Sequence, residues 1–141
     1  MYRSGTKYAG TFRAPAAQLS NVGLLSDCMS ALIAAIDMTA LGTHIYDVPK
    51  TLKRMGHDVD VDEGGLTAVV VLSTSHAAIH TWPEIEGARF DVDSCRVFDP
   101  AVVDSVLALR LGATDIRGTD VSFVFGQDSA PMLGMRVETT E

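Results

Sequence analysis

The sequence predicts an α+β fold, a layer of antiparallel β-sheet with two helices packed on one face and the other face completed or covered by a dimer partner. Three observations predict it. Apolar residues recur at three- and four-residue steps in two stretches, 20–41 and 100–111. Alternating or β-branched runs of strand length lie before, between and after them. The order strand, helix, several strands, helix, strand is that of an antiparallel layer with its helices gathered on one side. With 141 residues, 47% of them apolar, and a mean hydropathy of +0.19, the chain suits one domain, 1–141, that folds without metal or disulfide.

Lys7 to Phe12 forms the opening strand, stopped by Pro15. The strongest helical signal runs from Ser20 or Asn21, either of which supplies an N-cap, to Leu41. Its apolar stripe is Leu25, Cys28/Met29, Leu32/Ile33 and Ile36, and Gly42 follows as a C-terminal stop. Thr43 to Val48 alternates as a strand until Pro49. Residues 50–65 read as one short helical turn and then a strand with Val59 and Val61 inward and Asp58, Asp60 and Asp62 outward, closed by a turn at Glu63-Gly64-Gly65. Leu66 to Leu72 is a β-branched run expected to be a central strand buried on both faces. Ala77 to Thr81 is its antiparallel neighbour, ended by Trp82-Pro83 because proline cannot continue an interior ladder. Ala88 to Ser94 alternates again. Pro100 to Leu111 is the second helix, with proline in its first turn, Val103, Val106/Leu107 and Leu111 on one face, and Gly112 beyond its end. Asp115 to Phe125 holds the last strand, and the polar tail after it is expected to fray.

Charge and composition exclude some functions. Eighteen Asp+Glu against 11 Lys+Arg leave a net charge of −7, and the basic residues are scattered, so nucleic acid is not an expected partner. Cationic small molecules are favoured instead. No membrane partner is expected either: the candidate stretch Leu24 to Leu41 is interrupted by Ser26, Asp27, Ser30 and Asp37, and the N-terminus lacks the apolar region of a signal peptide. Cys28 and Cys95 match no paired metal-ligand spacing and read as free thiols of a reducing cytoplasm. A fully apolar run such as Leu66–Leu72 must meet something on its second face, and a second copy of the chain is the simplest partner.

The chemistry concentrates in Leu72-Ser73-Thr74-Ser75-His76-Ala77-Ala78-Ile79-His80-Thr81-Trp82-Pro83-Glu84 and in Asp91-Val92-Asp93-Ser94-Cys95. Three readings compete on chemistry alone. His76 and His80, four apart, share one side of a strand and with Asp91 or Asp93 form a conceivable metal site, though no third ligand is defined. Ser75 with a histidine is a conceivable acyl-transfer pair, but it lacks the strand-to-helix elbow and a third orienting residue. The remaining reading is that these polar groups only satisfy a hairpin and its turn. It suits any single serine or histidine better than it suits the whole string.

The string STSHAAIHTWPE resembles the processing site of the short prokaryotic S-adenosylmethionine decarboxylase proenzymes, whose signature runs close to ES-H-x-x-I-H-T-W-P-E. Cys95 stands 20 residues after Ser75, the distance at which that family places its catalytic cysteine. The likeness extends over residues 7 to about 125 and is specific over 73–95. The resemblance implies self-cleavage between Thr74 and Ser75 into chains 1–74 and 75–141, with Ser75 becoming a pyruvoyl cofactor. That group condenses with the substrate's α-amine and takes up the electrons left by CO₂. It implies Thr67, eight residues before Ser75, and His80 as the hydroxyl and imidazole of processing, Cys95 as the acid that protonates carbon, and Glu84 as the carboxylate that holds ribose hydroxyls. A thiol of ordinary pKa, about 8.5, is mostly protonated at neutral pH, as a donor requires. Cys28, on the helix stripe, is expected to be core.

Three departures from the family pattern bear on the substrate. Thr74 stands where the family has Glu, Val59 and Val61 stand where it has aromatics that stack on adenine, and residues 49–65 form a longer connection. The implied activity is decarboxylation of S-adenosylmethionine, supplying the aminopropyl donor for polyamine synthesis. The alternatives are decarboxylation of a basic amino acid, arginine or ornithine, at an acidic site formed by Asp58, Asp60 and Asp62, or an unprocessed, non-catalytic binding subunit.

Overall fold

The computed structural model describes residues 2–59, 64–126 and 136–140, with Tyr2 and 136–140 described by backbone alone. Its strands are β1 (Tyr2–Arg13), β2 (Ala40–Asp47), β3 (Leu66–Leu72), β4 (Ser75–Trp82), β5 (Gly87–Ser94), β6 (Thr114–Gly126) and β7 (Arg136–Thr140). Its helices are α1 (Ala16–Leu19), α2 (Val22–Ala35), α3 (Val48–Arg54) and α4 (Pro100–Leu111), with a 3₁₀ turn at Pro83–Ile85. All seven strands join one antiparallel sheet in the order β2-β3-β4-β5-β1-β6-β7.

The two predicted helices, α2 and α4, pack against each other on one face of the sheet. Leu25, Met29 and Leu32 of α2 and Val103, Leu107 and Leu111 of α4 are buried together with Phe12, Val70, Ile79 and Val92 from the strands. Burying each such side chain contributes roughly 1.5–3 kcal/mol. Cys28 is fully buried in that stripe, as its position predicts. Asn21 caps α2 through its side chain, which accepts from the Leu24 amide at 3.0 Å, and Asp99 caps α4 by accepting from the Ala101 amide. Tyr8 of β1 donates to the Asp104 carboxylate at 2.7 Å and so ties the sheet to α4. The space for its ring comes from Gly118, where any Cβ would collide with it.

Several expectations are corrected. Helix α2 ends at Ala35 instead of Leu41, because Asp37 adopts a left-handed φ of 56°, a conformation that aspartate tolerates, and the Met38 amide closes the helix end on the Ile33 carbonyl. Gly42 is therefore no helix stop; it lies beside a register shift in β2. Pro49 opens α3 rather than merely ending a strand, with Asp47 capping the Lys50 amide and Val48 already helical. Helix α3 thus realises the short helical turn expected after Pro49, begun two residues earlier, and α1 is a short helix that the sequence did not predict. The tail does not simply fray: β7 pairs with β6 from Asp120 to Val124, where β-branched Val137, Thr139 and Thr140 suit a strand and cover the backbone groups of a sheet edge. The strand expected around Val59 and Val61 falls mostly outside the described residues. Val59 itself lies in neither helix nor strand.

β3 is buried on one face only. Leu66, Ala68, Val70 and Leu72 face the helices, whereas Thr67 and Val69 are half-buried on the other side and Val71 is 44% exposed. Within one chain nothing among the described residues lies over that second face, so burial there needs a layer that those residues do not supply. We call it the open face.

Candidate active site

A hairpin round trip assembles the site. β4 runs out from Ser75 to Trp82 and β5 returns from Gly87 to Ser94, with His76 opposite Asp93. A 20-residue excursion therefore ends beside its origin, and the Cys95 amide donates to Ser75 Oγ at 2.8 Å. On the other side of Ser75, the β3–β4 hairpin turns through only Ser73 and Thr74, with Leu72 paired to Ser75. Thr74 holds φ at 60°. A β-branched residue is a genuine outlier there and stores on the order of 1–3 kcal/mol of strain at the residue whose carbonyl joins Ser75. Its hydroxyl donates to the Ser73 carbonyl at 2.7 Å, and the Ser73 amide is tied to the Thr39 carbonyl before β2.

Cys95 Sγ donates to that same Ser73 carbonyl at 3.8 Å. Hydrogen bonds from the Thr74 and Ser75 hydroxyls hold the thiol below its ordinary pKa, with a smaller contribution from the Arg96 guanidinium and some opposition from desolvation. The sequence expectation of an unperturbed thiol is corrected, since the hydroxyls of Thr74 and Ser75 both reach its sulfur. Thr74 and Cys95 open into a cleft of about 620 Å³, lined also by Arg3, Asp37, Arg96 and Phe125. Arg96 pairs with Asp37 at 3.6 Å, an exposed contact of little energetic weight. Arg3 and Phe125 come from β1 and β6, and Asp37 from beyond α2; no local pattern in the sequence marks them.

Thr67 and His80 also meet. They are mirror positions about the β3–β4 turn, directly opposed in register, and Thr67 Oγ1 lies 3.1 Å from His80 Nδ1. Burial, then the nearby Arg89, lowers the His80 pKa, while Asp91 opposes them. This pair is not at Ser75. His80 is five residues along β4, roughly 16 Å at about 3.3 Å per residue. It lies on the open face, whereas Ser75 alternates with Ala77 and Ile79 toward the helices. A Ser75–His80 acyl-transfer pair within one chain is thereby removed.

Glu84 sits exposed in the 3₁₀ turn just past His80, at the same far end of the hairpin. Thr81 serves the fold: its buried hydroxyl accepts from the Leu66 amide and donates to the Leu19 carbonyl, both at 2.9 Å, pinning α1 to the sheet. His76 faces Asp91 at 3.7 Å, with Lys7 at 3.4 Å from the same carboxylate oxygen. Among the described residues no group of three or more His, Cys, Asp and Glu could hold a metal ion, and no helix is long and apolar enough to cross a membrane. Of the three aspartates weighed for a basic substrate, Asp58 is exposed and Asp60 and Asp62 lie outside the described residues.

The family model described as S-adenosylmethionine decarboxylase matches residues 8–122. The chain belongs to the S-adenosylmethionine decarboxylase family. Among its relatives, an S-adenosylmethionine decarboxylase proenzyme of Pseudomonas aeruginosa (strain LESB58) is 50% identical over 50 residues, covering 35% of this chain and 31% of the relative. The proenzyme of Moorella thermoacetica is 42% identical over 59 residues, covering 40% of this chain and 46% of that protein. The matched stretches thus span less than half the length of these curated relatives. The crystal structure of the adenosylmethionine decarboxylase from Aquifex aeolicus VF5 superposes with a TM-score of 0.60 at 21% identity, over 84% of this chain and 88% of that one. At that identity the likeness is one of fold.

Proposed function

We propose that this chain is a self-processing, pyruvoyl-dependent decarboxylase of S-adenosylmethionine that supplies the aminopropyl donor for polyamine synthesis, and that it works in the cytoplasm as a homodimer with sites shared between copies. The observation that carries this reading is the Thr74–Ser75 peptide, held in a strained two-residue turn with Ser75 Oγ against Cys95.

The chemistry of cleavage follows from these groups. Ser75 Oγ attacks the Thr74 carbonyl and the amide becomes an ester, which releases the left-handed constraint on Thr74. Removal of the Ser75 α-proton by an imidazole expels the Thr74 carboxylate as leaving group and leaves dehydroalanine. Water adds, ammonia leaves, and residue 75 is a pyruvoyl group. The residues present fit such a group, since the position carries a backbone donor from Cys95 and a thiol beside it. When formed, the group supplies a carbonyl for the substrate amine and an electron sink for decarboxylation.

The chain's own part in turnover is Cys95, placed to deliver a proton to carbon. Processing prepares it for that role: loss of the Ser75 hydroxyl removes one of the two side-chain hydrogen bonds that lower the thiol, so maturation moves Cys95 toward its protonated form. Arg3, Arg96 and Phe125 line the cleft that receives the substrate; Glu84, at the far end of the hairpin with His80, holds the ribose only of a substrate in the partner copy's cleft.

The homodimer rests on two features. The open face carries half-buried Val69, Val121 and Phe123 and exposed Val71 and Phe125, an apolar surface suited to a second sheet. The Thr67–His80 pair shares that face but lies far from its own Ser75, so a two-fold packing of open faces would deliver one copy's pair to the other copy's cleavage bond.

Intact-mass measurement of the purified chain tests the central claim. The expected result is two fragments split between Thr74 and Ser75, the second carrying a carbonyl that reacts with hydroxylamine, and no split in Ser75→Ala. A single 15.0 kDa species that resists hydroxylamine would refute it.

A further inference from the structure

We propose that Arg89 is a positioning residue that keeps His80 in its neutral, proton-accepting form, an inference that rests on the reading of His80 as a base in processing. The sheet register sets the arrangement. His80 on β4 is directly opposed by Thr67 on β3 and by Arg89 on β5. Directly opposed antiparallel residues share a face with Cβ atoms about 4.5–5.5 Å apart. One neighbour is a hydroxyl at 3.1 Å from Nδ1; the other is a guanidinium.

A guanidinium has only donors and a fixed positive charge, so it can accept nothing from an imidazolium and repels it. The groups that face His80 from the other elements do not cancel this. Val69 and Thr67 on β3 are uncharged, and so is Tyr46, opposite Thr67 on β2. His76, four residues back on β4, contributes no anion. Glu84 is exposed beyond the strand end. The nearby anion on β5 is Asp91, and its Oδ2 is shared between Lys7 on β1 at 3.4 Å and His76 at 3.7 Å. Desolvation and Arg89 act in one direction and Asp91 more weakly in the other. Within one chain Arg89 is exposed on the open face, in a separate cleft of about 520 Å³ with Trp82 and Arg117, so its replacement leaves the core intact, and light scattering on each variant separates an effect on His80 from an effect on the dimer.

The test uses the full chain in two forms. In uncleaved Ser75→Ala protein, His80 is titrated by NMR and assigned with a His80→Gln control. Arg89→Gln should raise its midpoint, Arg89→Glu should raise it further, and Arg89→Lys should leave it near that of the unsubstituted chain. In chains that retain Ser75, Arg89→Gln should move the acid limb of cleavage to higher pH. Below the original midpoint cleavage should slow roughly three- to tenfold, with no change on the alkaline side. An unmoved His80 midpoint in Arg89→Gln overturns the proposal. If no form cleaves at any pH, the processing function fails instead, and the titration still decides the role of Arg89.

Discussion

The proposed sharing of a cleavage site between two copies makes a quantitative prediction. Ser75 and His80 of one chain are five residues apart on β4 and on opposite faces of the sheet, a separation of roughly 16 Å against the roughly 3 Å reach of proton transfer. A chain cannot then serve as its own base. His80→Ala and Ser75→Ala should each be inert alone, the first for want of the imidazole and the second for want of the nucleophile. Co-expressed in equal amounts they assort into about half mixed dimers. Each mixed dimer holds one complete site, made of Ser75 from one chain and His80 from the other. About half of the His80→Ala chains, and roughly a quarter of all chains, should therefore be cut. The assay is intact mass of the co-purified pair, with one chain tagged and dimerisation checked by light scattering. Absence of cut chains in confirmed mixed dimers would refute the shared site. Normal cleavage of His80→Ala alone would refute the histidine's role.

Two more outcomes follow from the same geometry. Thr81→Val should cost about 2–4 kcal/mol in denaturant unfolding, because it strands the buried Leu66 amide and Leu19 carbonyl that the hydroxyl now serves; a change below about 1 kcal/mol would contradict the pinning role. In the uncleaved Ser75→Ala chain at pH 8, iodoacetamide should label Cys95 and spare Cys28, whose thiol burial pushes up to about 12. Thiolate forms as pH rises through the thiol pKa and Thr74 lowers that value at Cys95, so adding Thr74→Val should shift the labelling midpoint to higher pH; an unmoved midpoint would show that the Thr74 hydroxyl does not act on the sulfur.

Much of this was legible because hairpins convert spacing into proximity. The 20-residue interval from Ser75 to Cys95 is one eight-residue strand out, a turn, and one eight-residue strand back, and Thr67 and His80 are equidistant from a two-residue turn. Local signals also held at α4, where proline, an apolar stripe and a C-terminal glycine at φ 67° bound the helix as predicted. They failed at the end of α2, where apolar periodicity runs past a left-handed Asp37 that no propensity marks. At Pro49 the same residue is compatible with ending a strand and with opening a helix, and only the Asp47 cap decides.

By itself the sequence determined the α+β class, the two main helices, the hairpin that brings Cys95 to Ser75, and the family signature, all of which depend on order and spacing along the chain. The tertiary structure alone decided the strain at Thr74, the lowered Cys95 thiol, the guanidinium beside His80, and the side of the sheet on which each group lies. Those depend on backbone angles and cross-strand neighbours from β1, β5 and β6, which spacing does not encode. The predicted sheet with one uncovered face survives in sharper form: His80 lies on that face, remote from the Ser75 of its own chain.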